Sequence, residues 1–268
     1  MPLIGQDNIT KLNLQKIAER AVNACFPVDT SAASKSSEIS IVDGTKPKAI
    51  VVISAHWEAS PVRITSSTSP SMLFDYYGFP AEAYTYSYDA SGHPELAQRI
   101  QSLLKDRNIP SELDDKRGYD HGVFVPLMLA YPEADVPVVA VSLHSSLDPQ
   151  LHINIGKALQ PLRDEGVLIL GSGMSYHNMA GFKRNGGSVL GKRFDQALAQ
   201  VITNPKVAER EEALKKWDKV LVDARECHPR EEHLMPLLVC AGAAGNDIGR
   251  QVDNSVVLGA QVSDYSFP

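Results

Sequence analysis

The chain has 268 residues, 43 % of them hydrophobic and 22 % charged, with a formal net charge of −6. That length suits one large α/β domain whose core needs no disulfide or metal staple to fold, and the acidic balance argues against a general electrostatic nucleic-acid binder. No apolar run approaches the ~20 residues that span a bilayer, and the start shows no basic stretch followed by an apolar one. The three cysteines, Cys25, Cys227 and Cys240, form no CxxC pair. A cytoplasmic protein with reduced thiols and neither membrane nor nucleic acid as partner is expected.

In chain order, residues 8–24 place Ile9, Leu12, Ile17, Ala21 and Val22 near one face at helical spacing. Residues 26–47, rich in Ser, Thr, Asp and Pro, read as a linker or disordered insertion. Ala49–Ala55 is a continuous apolar run rich in β-branched residues, the mark of a buried central strand. Val62–Ser66 is a shorter strand candidate. Residues 94–107 form a helix with Pro94 in its first turn, where proline is tolerated, and residues 122–130 form another. Val136–Leu143 and Val167–Gly171 repeat the buried-strand pattern, with a helix over 149–163 between them. Helices are expected over 188–203, 205–217 and 229–244, followed by strand pieces between Val252 and Val262. Buried strands alternating with helices predict a single α/β domain with a central, mostly parallel or mixed sheet flanked by helices.

Catalytic groups in open α/β sheets gather beyond the carboxyl ends of strands. His56 follows the first apolar run, His144 the second, and His177 lies in the glycine-rich loop after the third. Strand ends converge in a parallel sheet, so these three positions are candidates for one site. His121 and the pair His228 and His233 stand at expected helix starts. Five residues separate that pair, which puts the two rings ~140° apart on a helix, so one is expected to face a site and the other to cap or meet solvent. Pro236, inside the expected helix, removes a backbone donor and leaves the Glu232 carbonyl without its usual partner, which implies a kink. No HExxH, GxSxG, P-loop or GxGxxG is present. Dispersed histidines with nearby carboxylates suit a mononuclear metal site in a cleft; two histidines and a carboxylate are the signature of non-haem Fe(II) oxygenases.

Ser54-Ala55-His56-Trp57-Glu58, Tyr76-Tyr77-Gly78-Phe79-Pro80, Asp120-His121-Gly122, Gly171-Ser172-Gly173 with His177-Asn178, and His228-Pro229 with Glu232-His233 and Pro236-Leu237 resemble, in order, the signatures of DOPA-type extradiol dioxygenases. These belong to the LigB-like superfamily of ring-cleaving enzymes. The resemblance runs from about residue 47 to the end, making 48–268 the catalytic domain. It implies one divalent metal ion, Fe(II) for activity or Zn(II) as found bound, together with a catechol and O2. His56 and His233 match metal-ligand positions, and His228 is the weaker third candidate. His177 matches the histidine beside the metal that moves protons, and His121 a further catalytic pocket histidine. The family's first strand, ending in a His-Gly ligand motif, has no counterpart here, since no histidine precedes His56. Residues 1–25 then correspond to the helix after that strand. Weak metal binding and slow turnover are expected on this account. An unpaired sheet edge is prone to association, so a homo-oligomer is among the expected partners. The alternatives are a non-catalytic binding or scaffold relative and a zinc hydrolase.

Overall fold

The computed structural model describes residues 46–182 and 189–268. The helix expected over 8–24 and nearly all of the 26–47 linker lie outside the described residues. The five-stranded sheet contains β1 (Ala49–Ala59), β2 (Val62–Thr65), β3 (Ser111–Asp114), β4 (Val138–His144) and β5 (Val167–Ser172), in the order β3-β2-β4-β1-β5. β1 runs parallel to both β4 and β5, and β2 parallel to β3, while β2 meets β4 antiparallel. The sheet is mixed and mostly parallel, as the alternating pattern predicts.

β1 sits between two parallel neighbours. Ile50 pairs with Val138 on one side and with Leu168 on the other. The side chains of Ile50 to Ile53 are at most 1 % exposed. A strand buried on both faces has no polar alternation, which is why these segments read as unbroken apolar runs. β3 is short, largely exposed and carries Ser, Glu and Asp, so nothing in its composition announces a strand.

Helices α1 (Pro94–Asp106), α2 (His121–Ala130), α3 (Pro149–Leu159), α4 (Lys192–Ile202), α5 (Val207–Lys215) and α6 (Met235–Ala243) surround the sheet. The helix expected over 149–163 stops at Leu159, and Pro161 opens a separate turn through Asp164. α6 differs from expectation in a way that matters. It begins at Met235 rather than 229, so Pro236 falls in the first turn. The missing N–H of Pro236 is then one of the donors a helix start leaves unbonded in any case, and no kink is required. His228 and His233 do not share a helix, and the ~140° argument does not apply to them. The chain ends in an antiparallel hairpin of β6 (Arg250–Val257) and β7 (Ala260–Ser266). Among the described residues, no helix is long and apolar enough to cross a membrane.

α3 and α6 cross in close contact through glycine. A methyl group on Gly156 would collide with the Val239 carbonyl, and one on Gly242 with the Ile153 carbonyl. Alanine at a helical glycine ordinarily gains up to ~1 kcal/mol. Here the backbone cannot yield cheaply, so Gly156→Ala is expected to lose roughly 1–3 kcal/mol instead, the range for overpacking. Urea unfolding decides the sign, and a more stable variant would show that this crossing is loose.

Candidate active site

Among the described residues, four histidine rings meet at the carboxyl end of the central strands. His56 leaves β1 where its register against β4 breaks. Ser54 pairs with Ser142, and the next paired residue is Glu58, opposite Leu143. The intervening residues Ala55 to Trp57 are displaced from the ladder. Ala55 and Trp57 turn into the protein, 3 % and 6 % exposed, and His56 faces the other way. Such irregularities re-aim a side chain without ending a strand, and β1 continues to Ala59.

Gly122 makes room for that ring. A methyl there would lie 2.6 Å from Ser54 Oγ and 3.1 Å from His56 Cδ2. The preceding Asp120 is 1 % exposed, accepts from Ser54 Oγ at 2.8 Å and pairs with Arg117 at 3.0 Å. Arg117 also donates to the His56 carbonyl at 3.3 Å and lies over the Trp57 ring. The Asp-His-Gly motif is therefore a brace for the displaced segment of β1. His121 itself opens α2. Asp75 Oδ1 accepts from the His121 backbone N–H at 3.0 Å and from its Nδ1 at 2.7 Å. One carboxylate oxygen thus caps the helix and fixes the ring, leaving Nε2 for the cleft. Burial opposes ionisation of Asp75, but the His121 hydrogen bonds outweigh it and hold its pKa below the ordinary value.

On the opposite side, His177 and His233 stack with ring centres 3.4 Å apart and planes at 14°. Glu232 Oε1 lies 3.0 Å from His233 Nδ1 and 3.2 Å from His177 Nδ1. Donation from both Nδ1 atoms to this one oxygen leaves both Nε2 atoms with a lone pair. The His233 hydrogen bond holds the Glu232 carboxyl down at about 2. Burial, aided by the other rings, lowers His56 to about 3 and His177 to about 4, so both are neutral near pH 7. A neutral imidazole is the form that binds a metal.

The two halves meet at His56. Its ring centre lies 3.8 Å from that of His121 and 4.9 Å from that of His233. Two imidazoles bound at ~2.0–2.1 Å to one ion, about 90–105° apart, hold their centres roughly 4.5–5 Å from each other, and the His56–His233 separation of 4.9 Å falls within that window. Ligand atoms of His56, Asp75 and His121 lie within 4.8 Å of one another, as do those of His177, Glu232 and His233. The donor set fits a divalent cation, and carboxylates holding the far nitrogen are the usual companions of metal-bound imidazoles.

Residues 24–265 match the family model for the catalytic LigB subunit of aromatic ring-opening dioxygenase. The chain belongs to this family. Among LigB-family relatives, it is 44 % identical over 205 residues to a 4,5-DOPA dioxygenase extradiol of Beta vulgaris, covering 75 % of each chain. It is 35 % identical over 202 residues to the Escherichia coli K12 protein of the same name, covering 74 % of this chain and 73 % of the other. A dioxygenase of Hapsidospora irregularis is 35 % identical over 237 residues, 82 % of this chain and 71 % of that one. The crystal structure of an uncharacterised Escherichia coli K12 protein superposes with a TM-score of 0.71 at 26 % identity, covering 98 % of this chain and 93 % of the other.

Two candidate histidines stand apart from the cluster. His144 has both ring nitrogens engaged, Nε2 with Ser60 Oγ at 3.1 Å and Nδ1 with Ser146 Oγ at 2.8 Å. His228 is fully buried beside Phe194 and Trp217 and belongs to neither ligand group. Its Nε2 donates to the Ser175 carbonyl at 3.0 Å. Alongside it, His177 N–H donates to the Cys227 carbonyl and Asn178 Nδ2 to the Glu226 carbonyl. These bonds clamp the His177 loop to residues 226–228, so His228-Pro229 and His177-Asn178 are two halves of one fastening. Gly173 permits the same loop to reach His233, whose carbonyl would collide with a methyl there and accepts from Met174 N–H at 3.0 Å. The roles of Asp75 and Glu232 were not singled out from sequence. The acidic residue next to His233 was a usable signal, whereas nothing ties Asp75 to His121 before folding.

His228 also sets a pH response. Burial lowers its pKa to about 4, against ~6.5 in an unfolded chain. Between those values the unfolded chain takes up a proton that the folded one refuses. This contribution to stability is therefore complete above about pH 6.5 and is lost as pH falls towards 4. Its size is on the order of 1–3 kcal/mol. His228→Gln keeps a donor for Ser175 but does not titrate, so its denaturant midpoint should fall less steeply than the parent's from pH 6.5 to 4. Parallel curves would show that His228 titrates alike in the folded and unfolded chain.

Proposed function

We propose that this chain is a metal-dependent extradiol dioxygenase that opens a catechol ring, DOPA being the leading candidate, and yields a ring-opened semialdehyde. The carrying observation is the His56–His233 separation, which matches shared coordination of one ion, beside two further rings each held by its own carboxylate. The relatives named for DOPA support the substrate class. No feature of the site favours a binding-only relative or a zinc hydrolase.

His56 and His233 would hold the ion. Iron(II) would be the active metal and zinc(II) a redox-silent substitute on the same nitrogen ligands. An Fe(II) ion held there would supply the redox chemistry between the catechol and O2. His177 takes the proton of a catechol hydroxyl at Nε2 while its Nδ1–H stays on Glu232, and returns it as the ring opens. His121 Nε2, fixed through Asp75, orients the second catechol oxygen.

The ring of the substrate has a matching wall. Tyr76 stands edge-on to His121 with centres 5.7 Å apart, and packs with Phe74, Phe79 and Tyr84. Aromatic rings in edge-to-face reach suit a planar guest. The buried free thiols Cys227 and Cys240 fit a reducing, cytoplasmic setting.

The test is anaerobic loading with Fe(II), then DOPA and air, following O2 uptake and a yellow product. Slow turnover with one O2 consumed per DOPA is expected. Metal-loaded protein that leaves every catechol intact would overturn the reading. His177→Ala should keep its metal and lose turnover by ~10²–10⁴-fold, whereas His233→Ala should lose the metal as well. Equal metal loss in both variants would make His177 a ligand.

A further inference from the structure

Two residues outside the ring cluster tie its halves together. Arg230 meets Glu58 through both ends of its guanidinium, Nη1 to Oε1 and Nη2 to Oε2, each at 2.6 Å. Glu58 lies two residues beyond His56, and Arg230 three before His233. The partners are 172 residues apart in sequence, so the pair is a tertiary link and no local accident.

The ends of the link differ in rigidity. Glu58 is the first residue back in register after the break in β1, paired with Leu143 of β4. Residues 228–234 lie before the start of α6 and have no helical or strand ladder of their own. Arg230 therefore fastens an irregular segment to the fixed end of the sheet. Its Nη1 also lies 3.3 Å from Glu232 Oε2, the carboxylate whose other oxygen serves His177 and His233. The order of contacts is Glu58, Arg230, Glu232, then the stacked rings.

Stability does not account for this arrangement. The Arg230 side chain is 54 % exposed, and exposed pairs contribute little to folding. A two-pronged guanidinium–carboxylate pair does fix direction, because its planar donors match both carboxylate oxygens at once.

We propose that Glu58 and Arg230 are positioning residues: their clasp sets the separation of His56 and His233 and holds Glu232 against the His177–His233 stack. The proposal rests on the reading of His56 and His233 as ligands of one ion. It makes the ion's affinity depend on two side chains that never touch it, and it makes their effects inseparable.

The experiment compares the parent with Glu58→Gln, Arg230→Met and the double variant. Zinc affinity is measured by competition with a chromophoric chelator. Imidazole ¹⁵N signals of His177 and His233 are recorded in the metal-free proteins. Each single variant is expected to weaken zinc binding by ~10–100-fold, the usual cost of losing a residue that supports a ligand. The double variant should be no weaker than the worse single one. The ¹⁵N signals of both rings should move in Arg230→Met. Arg225→Met, which removes the neighbouring Arg225–Glu231 pair, should leave both readouts unchanged. Unchanged affinity and signals in the clasp variants, or losses that simply add, would overturn the clasp. A parent that binds no zinc while the ¹⁵N signals still shift in Arg230→Met would retire the metal reading and leave the clasp's hold on the rings standing.

Discussion

The site depends on the register break in β1. A central strand of a parallel sheet is held on both sides, and its side chains go into the core. β1 obeys this from Ile50 to Ser54, paired with β4 and β5 throughout. A functional side chain cannot leave such a strand unless the ladder is interrupted. The interruption at Ala55–Trp57 turns His56 outward, and Glu58 restores pairing with Leu143. An unpaired stretch is costly unless its polar groups are met elsewhere. Here Ser54 Oγ accepts from the His56 N–H at 3.2 Å and Arg117 donates to the His56 carbonyl at 3.3 Å. Ser54, Asp120 and Arg117 thus surround a residue that could otherwise not hold its position.

Burial disfavours positive charge on His56 and His177, and four rings packed this closely each need a fixed orientation. Two carboxylates resolve this by taking the Nδ1 hydrogens. Asp75 takes one and Glu232 takes two. The ring centres of His56 and His233 stand 4.9 Å apart between the two carboxylate-held pairs. In physical terms the site is a set of imidazoles oriented in advance, with negative charge placed one hydrogen bond further out on Asp75 and Glu232.

Much of this was legible beforehand. The apolar runs at Ala49, Val136 and Val167 identify strands because strands buried on both faces must be continuously hydrophobic, and histidines just beyond them mark the functional end of the sheet. What was not legible depends on distant partners. β3 is a strand only because β2 offers it a ladder. Asp75 has a role only because α2 begins 46 residues later. Pro236 could be read as a kink inside a helix that starts at Pro229 or as a helix start, and the fold places the start at Met235. His228 and His233 look equivalent in sequence. Packing separates them: Phe194 and Trp217 enclose one ring, and the other stacks on His177.

The two walls of the cleft are built differently, and this divides their tasks. His56, His177 and His233 are carried by β1, by the clamped loop after β5, and by the segment leading into α6, all tied to the buried sheet. Sub-ångström errors in such groups are expensive in catalysis, so rigid carriers suit them. The facing wall, residues 74–86, is a connection with one short helical turn, Ala81–Tyr84. Its rings are partly in solvent, with Tyr77 at 91 % and Phe79 at 54 % exposed. It touches the histidine cluster mainly through Asp75 and Tyr76, which meet His121. Changes beyond Tyr76 can therefore reshape the space beside the cluster without moving His56, His177 or His233. A fold of this design can hold its ring-opening chemistry constant while the space beside it varies, because the two parts of the chain meet chiefly where Asp75 and Tyr76 contact His121.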